Sequence, residues 1–228
     1  MDTTLRERLF ALQDAQYQKF HGSLVPGAEN IIGVRVPELR ALAKELATGQ
    51  WQQALVDLGT DYYEERVVRG LIIAQAPMSV SARQKLLEEF VPLINNWAIC
   101  DVVCSTIKEA DKEQESYWNF LQDYLGSAEK YPLRFGLVML LDHFVDEHYI
   151  ESVLDVLLHV NTADYYAQMA ADWALSVCYI KFPVLTEAVF LNPRLDDEIR
   201  QKGIQKCTES YRVKYKDKQR LKEIAKGF

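Results

Sequence analysis

The chain has no apolar run approaching the roughly 20 residues of a membrane span; its longest, such as Leu137 to Leu141, are far shorter. The opening MDTTLRERLF mixes both charge signs without an apolar stretch, so no export leader is expected and the expected location is cytoplasmic. Cysteines are few (Cys100, Cys104, Cys178 and Cys207), and so are histidines (His21, His143, His148 and His159). They form no CxxC pair and no HExxH motif, which argues against a zinc site or a disulfide framework. No metal and no cofactor are expected. His143 and His148, five apart, fall on different helical faces, which leaves them surface or capping roles. Ser/Gly-rich linkers are absent too, so residues 1–228 are expected to form a single helical-repeat domain. With 49% hydrophobic residues the chain has ample material for a core.

Positive charge is in overall deficit, at a net −7, which opposes nucleic-acid binding because phosphate contacts are made by Lys and Arg. The distribution is uneven. From Gln201 to Phe228 nine basic residues (among them Lys214, Lys216, Lys218 and Arg220) face three acidic ones, so this end carries +6 and the remainder −13. Such an end either grips a phosphate backbone or is a solvated terminal helix.

Alternating β-type runs are scarce, whereas apolar residues recur at helical spacing nearly everywhere, so the fold class is all-α. Pro37 and Pro132 are placed as first helical residues, and Asp61-x-x-Glu64 has the form of a capping box. Breaks are expected near Gly22–Gly33, Gly49, Gly59, Pro77, Asn95–Asn96, Gly126, Asn161 and Pro183, with His21 and Gly22 in the first interhelix loop. Five segments superpose: YYEERVVRGLIIAQ, NNWAICDVVCSTI, YPLRFGLVMLLDHF, YYAQMAADWALSVCYI and DEIRQKGIQKCTESY. Each begins polar or aromatic and turns apolar. Their markers Trp97, Arg134 and Trp173 are 37 and 39 residues apart, close to the roughly 40-residue period of paired-helix HEAT-like repeats. In such a solenoid equivalent positions line one concave groove, which makes these three residues one candidate site.

On a helix after Asn96, Trp97, Asp101, Cys104 and Lys108 share a face, opposite Ile99, Val102, Val103 and Thr106. Two readings stay open on the residues alone. The tryptophans are core residues and Asp101 pairs with Arg134 or Lys108; or a carboxylate beside an indole, joined by an arginine and a second Trp, holds a cationic substrate. Tyr62–Tyr63 and Tyr165–Tyr166 open two of the repeat helices and fit groove or packing roles equally.

The segments GVRVPELRALAKEL (Gly33–Leu46), NNWAICD (Asn95–Asp101), LRFGLVMLL (Leu133–Leu141), MAADWALS (Met169–Ser176) and KGIQKCTESYRV (Lys202–Val213) resemble, in order and spacing, the landmarks of the AlkD-type DNA alkylation repair glycosylases. That resemblance implies release of cationic N3- and N7-alkylated purines from duplex DNA by a monomer. It implies catalytic roles for Asp101, Trp97 and Trp173 and a phosphate contact for Arg134. Arg35, Arg40 and the Lys214–Arg220 region are further phosphate candidates. A charged purine leaves without a general acid, so one carboxylate suffices. From other classes, a catalytically inactive HEAT-like module holding nucleic acid or a protein in its groove is the alternative, distinguished by the charge of that groove. Alkyl transfer to Cys100 or Cys104 lacks both a nearby His and a PCHR-type motif, so small core-filling thiols are expected there.

Overall fold

Helix starts are fixed by short polar side chains that bind the first backbone N–H groups, which have no partner within the helix. Thr4, Asp14, Ser79, Asn96, Asp164 and Asp196 all cap in this way. The computed structural model describes residues 4–160 and 163–227, and the break expected at Asn161 lies outside the described residues. Within them every regular element is helical. By its contacts the chain divides into two compact units, Met1–Ser116 and Tyr117–Phe228.

The first unit contains α1 (Leu5–Ala11), α2 (Ala15–Leu24), α3 (Val36–Thr48), α4 (Trp51–Asp57), α5 (Tyr63–Gln75), α6 (Val80–Phe90), a short 3-10 turn (Val91–Leu93) and α7 (Trp97–Cys104). Here α3, α5 and α7 pack side by side as a row, with α4 against α3 and α5, and α6 against α5. The division falls inside α8 (Gln114–Leu125). The second unit continues with α9 (Lys130–His143), α10 (Ile150–His159), α11 (Tyr165–Lys181), α12 (Pro183–Phe190), α13 (Asp197–Glu209) and α14 (Tyr215–Lys226). Its row is α9, α11 and α13, backed by α10 and α12 on α11 and by α14 on α13. The five superposable segments are the row helices α5, α7, α9, α11 and α13. This is the paired-helix pattern of a helical repeat: each row helix is covered on several sides and so becomes apolar over most of its length.

Several local expectations shift. Pro132 is the third residue of α9 rather than the first; a first-turn N–H has no intrahelical partner, so Pro is tolerated at that position as well. His21 and Gly22 lie within α2, and His21 is buried. His143 is buried at the end of α9 rather than exposed. The box at Asp61 moves by one residue. Helix α5 begins at Tyr63, and Glu65 Oε2 accepts the N–H groups of Asp61 and Tyr62 at 3.0 and 3.1 Å.

Glu64 has a different task. Its side chain is fully buried, and its carboxylate accepts N–H groups from Ile32, Gly33 and Val34 at 2.9, 2.7 and 3.1 Å. A buried charge is tolerable only with such saturation. The loop it holds is tight. Gly33 has φ +98°, and a Cβ there would fall 2.6 Å from the Gln18 Cβ and 2.7 Å from the Asp14 carbonyl oxygen. The same economy recurs in the buried arginines. Arg83 binds Glu109 and the carbonyls of Ile73 and Ala76, and Arg200 binds those of Phe190, Asn192 and Leu195. Each supplies carbonyl groups near helix ends and turns with the donors they lack inside the protein.

Candidate functional site

Helix α7 has eight residues, and five of them, Ala98, Ile99, Cys100, Val103 and Cys104, are buried. The half-buried residues that remain are Trp97 and Asp101, one turn apart on one side, and Val102, turned away from them. Asn96, itself 2% exposed, caps the helix by accepting the Ile99 N–H at 3.1 Å, which fixes where Trp97 enters the first turn. The indole Nε1–H of Trp97 donates to the Leu24 carbonyl, at the end of α2, at 3.0 Å. This bond fixes the ring edge against a neighbouring element. Asp101 follows one turn later on the same side.

Two expected members of this face are elsewhere. Cys104 is fully buried, with its Sγ 4.0 Å from that of Cys100, and α7 stops there, so Lys108 lies beyond the helix. The C-terminal end of α7 is closed by Arg40 from α3, whose Nη1 donates to Thr106 Oγ1 at 2.7 Å while that hydroxyl donates to the Val102 carbonyl. Arg40 borders a cleft of about 580 Å³ with Lys108 and Lys112 on its rim. Arg35 is exposed, but Asp14 holds it through Nε and Nη2, and it lies over the Tyr17 ring at 4.9 Å. The Asp14 carboxyl is held below its usual value, first by the Tyr17 backbone N–H and then by Arg35.

In the second unit Trp173 on α11 is 38% exposed and borders a cleft of about 610 Å³ together with Lys206, Ser210 and Arg212. Arg134 on α9 faces inward. Its side chain is 4% exposed and Nη1 donates to the Tyr166 carbonyl of α11 at 2.6 Å, so it ties two row helices together and presents little surface. Of the basic end, Arg220 is ion-paired to Glu187 of α12. Lys214, Lys216 and Lys218 take part in no ion pair among the described residues; Lys214 and Lys216 are exposed and Lys218 is half-buried. Lys206 and Arg212, which line the Trp173 cleft, were legible only as charges in a basic tail. All four cysteines are free and buried. Burial pushes the Cys178 and Cys207 thiols up to about 12. A buried, protonated thiol is a poor nucleophile, which removes those two from alkyl transfer; Cys100 and Cys104 are removed by lack of access.

The family model for DNA alkylation repair enzymes matches residues 5–191. The chain belongs to this family. Membership makes DNA alkylation repair its role and DNA its substrate class. The match includes α7, α9 and α11, hence Trp97, Asp101, Arg134 and Trp173, and ends before α13 and α14. The landmark at Lys202–Val213 therefore lies beyond the matched span. No curated protein matches the chain. For membranes, none of the helices among the described residues is long and apolar enough to cross one.

Proposed function

We propose that this family member is a DNA glycosylase that hydrolyses the N-glycosidic bond of cationic N3- and N7-alkylpurines in duplex DNA. The observation that carries the reading is the solvent-facing side of α7, where an indole pinned by its edge stands one turn from a carboxylate on an otherwise buried helix. In the reaction the bond between C1′ and the purine breaks with its electron pair going to the base, which is thereby neutralised. No proton need be donated. The sugar acquires oxocarbenium character, Asp101 stabilises that charge, and water adds to C1′ as its proton passes to the carboxylate or to solvent.

Trp97 and Trp173 are assigned flat contacts with deoxyribose, whose developing charge an indole face favours by about 0.5–2 kcal/mol. Phosphate contacts are assigned to Arg35, Arg40 and the Lys214–Arg220 region, with Arg35 and Arg220 exchanging Asp14 and Glu187 for phosphate. Arg134, given its inward course, is assigned the positioning of α11 and so of Trp173, in place of a direct phosphate contact.

The test is release of N7-methylguanine and N3-methyladenine from methylated duplex DNA at low salt, wild type beside Asp101→Asn. Release by the wild type, lowered by two or more orders of magnitude in the variant, is the expected result. Equal release by the two proteins overturns the role of Asp101. Binding without release by either one replaces the glycosylase with a damage-binding module.

A further inference from the structure

The turn between α13 and α14 leaves its aromatic side chains in water. Tyr211 has 103% of its reference exposure and Tyr215 has 77%. Two phenol rings so placed add nothing to the core, although hydrophobic burial is available to any ring that can reach it. The turn carrying them is nevertheless anchored: Val213 between them is buried, and the Arg212 N–H donates to Ser210 Oγ at 3.2 Å. Around the rings the sequence runs Tyr211, Arg212, Val213, Lys214, Tyr215, Lys216. Neither Arg212, Lys214 nor Lys216 takes part in an ion pair among the described residues, whereas Arg6, Arg8, Arg35, Arg83 and Arg200 all do. The edge is also continuous with the cleft that holds Trp173, because Arg212 and Ser210 line it. It lies outside the residues that the family model matches.

We propose that this turn is a stacking platform for unpaired DNA bases, with Tyr211 and Tyr215 taking base faces and Arg212, Lys214 and Lys216 the adjoining phosphates. Aromatic rings interleaved with cations are the recognition chemistry of a single strand, since every base offers a π-face and every linkage an anion. A duplex hides its base faces in the stack, so the ligand is a single-stranded stretch such as a gap, a flap or a melted segment. An acidic peptide would satisfy the cations but not the rings. Stacking requires no hydrolysis, so the inference goes beyond the base-removal reading and is tested apart from it, on undamaged DNA.

The experiment is fluorescence anisotropy of the full chain with a labelled oligothymidylate and with an undamaged duplex of equal length, at low salt. Wild type is compared with the Tyr211→Ala/Tyr215→Ala double variant and with the corresponding double Phe variant. Both positions are exposed, so the fold is expected to tolerate either change. The Ala pair is expected to weaken single-strand binding at least about tenfold, leave duplex binding within about twofold, and be rescued by Phe, which keeps the ring. Any of four results overturns the proposal: no binding of the oligothymidylate by wild type, no loss in the Ala pair, an equal loss on single strand and duplex, or tyrosine-dependent binding to vesicles of anionic lipid in place of the oligonucleotide.

Discussion

Replacing Asp172 with Asn should make the protein more stable, and the gain should depend on pH in a defined window. Asp172 precedes Trp173 on α11; its side chain is 2% exposed, and its Oδ1 is buried without a hydrogen-bond partner. It borders a cavity of about 210 Å³ lined by Gln168 of α11 and by Glu198, Lys202 and Lys206 of α13. Burial raises its carboxyl from 3.8 to about 7, opposed by Lys206 and Lys202 and reinforced by Glu198 and Asp196. A raised native value means that the unfolded chain loses the proton first, so stability present below about pH 4 is lost as pH climbs to about 7 and stays lost above it. In a rigid site the penalty would be about 4 kcal/mol. Any screening of the charge by solvent lowers that penalty and narrows the pH window together, because both are the same shift, so about 4 kcal/mol is the upper bound. Asn keeps the shape and cannot ionise. Urea unfolding of both proteins at intervals from pH 4 to pH 9 isolates the effect, because the other carboxylates cancel in the difference. The variant's advantage should open above about pH 4, grow by at most about 1.4 kcal/mol per pH unit and level off by about pH 7. A difference constant across that range would refute the reasoning, for it would mean that the native carboxylate is as well solvated as the unfolded one.

Two further outcomes follow from the polar framework. Glu64→Gln puts an amide, which is itself a donor on one side, against the three N–H groups of Ile32, Gly33 and Val34; a loss of about 2–4 kcal/mol is expected in urea unfolding, and a loss under about 0.5 kcal/mol would show the loop to be held by other contacts. For DNA, the three lysines Lys214, Lys216 and Lys218 should contribute about −3 to the slope of log binding constant against log salt, a share lost on changing all three to Gln. An unchanged slope in that triple variant would take the basic end out of the phosphate contacts.

The row helices were legible because their segments begin alike and then turn apolar for two turns or more, a pattern that only a helix covered on several sides needs. The α7 face was legible for a related reason: Asn96 is a strong capping residue, and from a fixed start the four-residue spacing of Trp97 and Asp101 follows from helix geometry. Its far end was not. Nothing local in VVCSTIK says that α7 stops at Cys104, since the residues that close it, Arg40 and Thr106, meet across 66 positions. Glu64 shows the same limit more sharply. Glu64 and Glu65 are adjacent and chemically identical, yet one caps its own helix and the other holds a loop about 30 residues away. Choosing between them requires knowing which side of α5 faces that loop, which is tertiary information. Tyr211 and Tyr215 stood in the sequence as part of a lysine-rich tail, and only their exposure distinguishes rings held out to solvent from rings packed beneath the lysines.

The division of labour between arginine and lysine bears on how an acidic chain can act on DNA. A guanidinium offers five donors in a planar fork, so it can satisfy several carbonyls or a carboxylate at once and is suited to the interior. Arg83, Arg134 and Arg200 are used in that way, and Arg6, Arg8, Arg35 and Arg220 are held in ion pairs at the surface. A net charge of −7 is therefore a poor measure of what a polyanion meets, because many of the positive charges already face protein acceptors. What decides binding is where the remaining ones stand. Arg212, Lys214, Lys216 and Lys218 lie within seven residues of one another, Arg212 and Lys206 border the cleft of Trp173, and at about 0.1 M salt a charge acts over roughly 10 Å. In the cleft itself Lys206 and Arg212 stand against Asp142 and Glu209, so the excess of positive charge lies on the adjoining turn, at Arg212, Lys214 and Lys216.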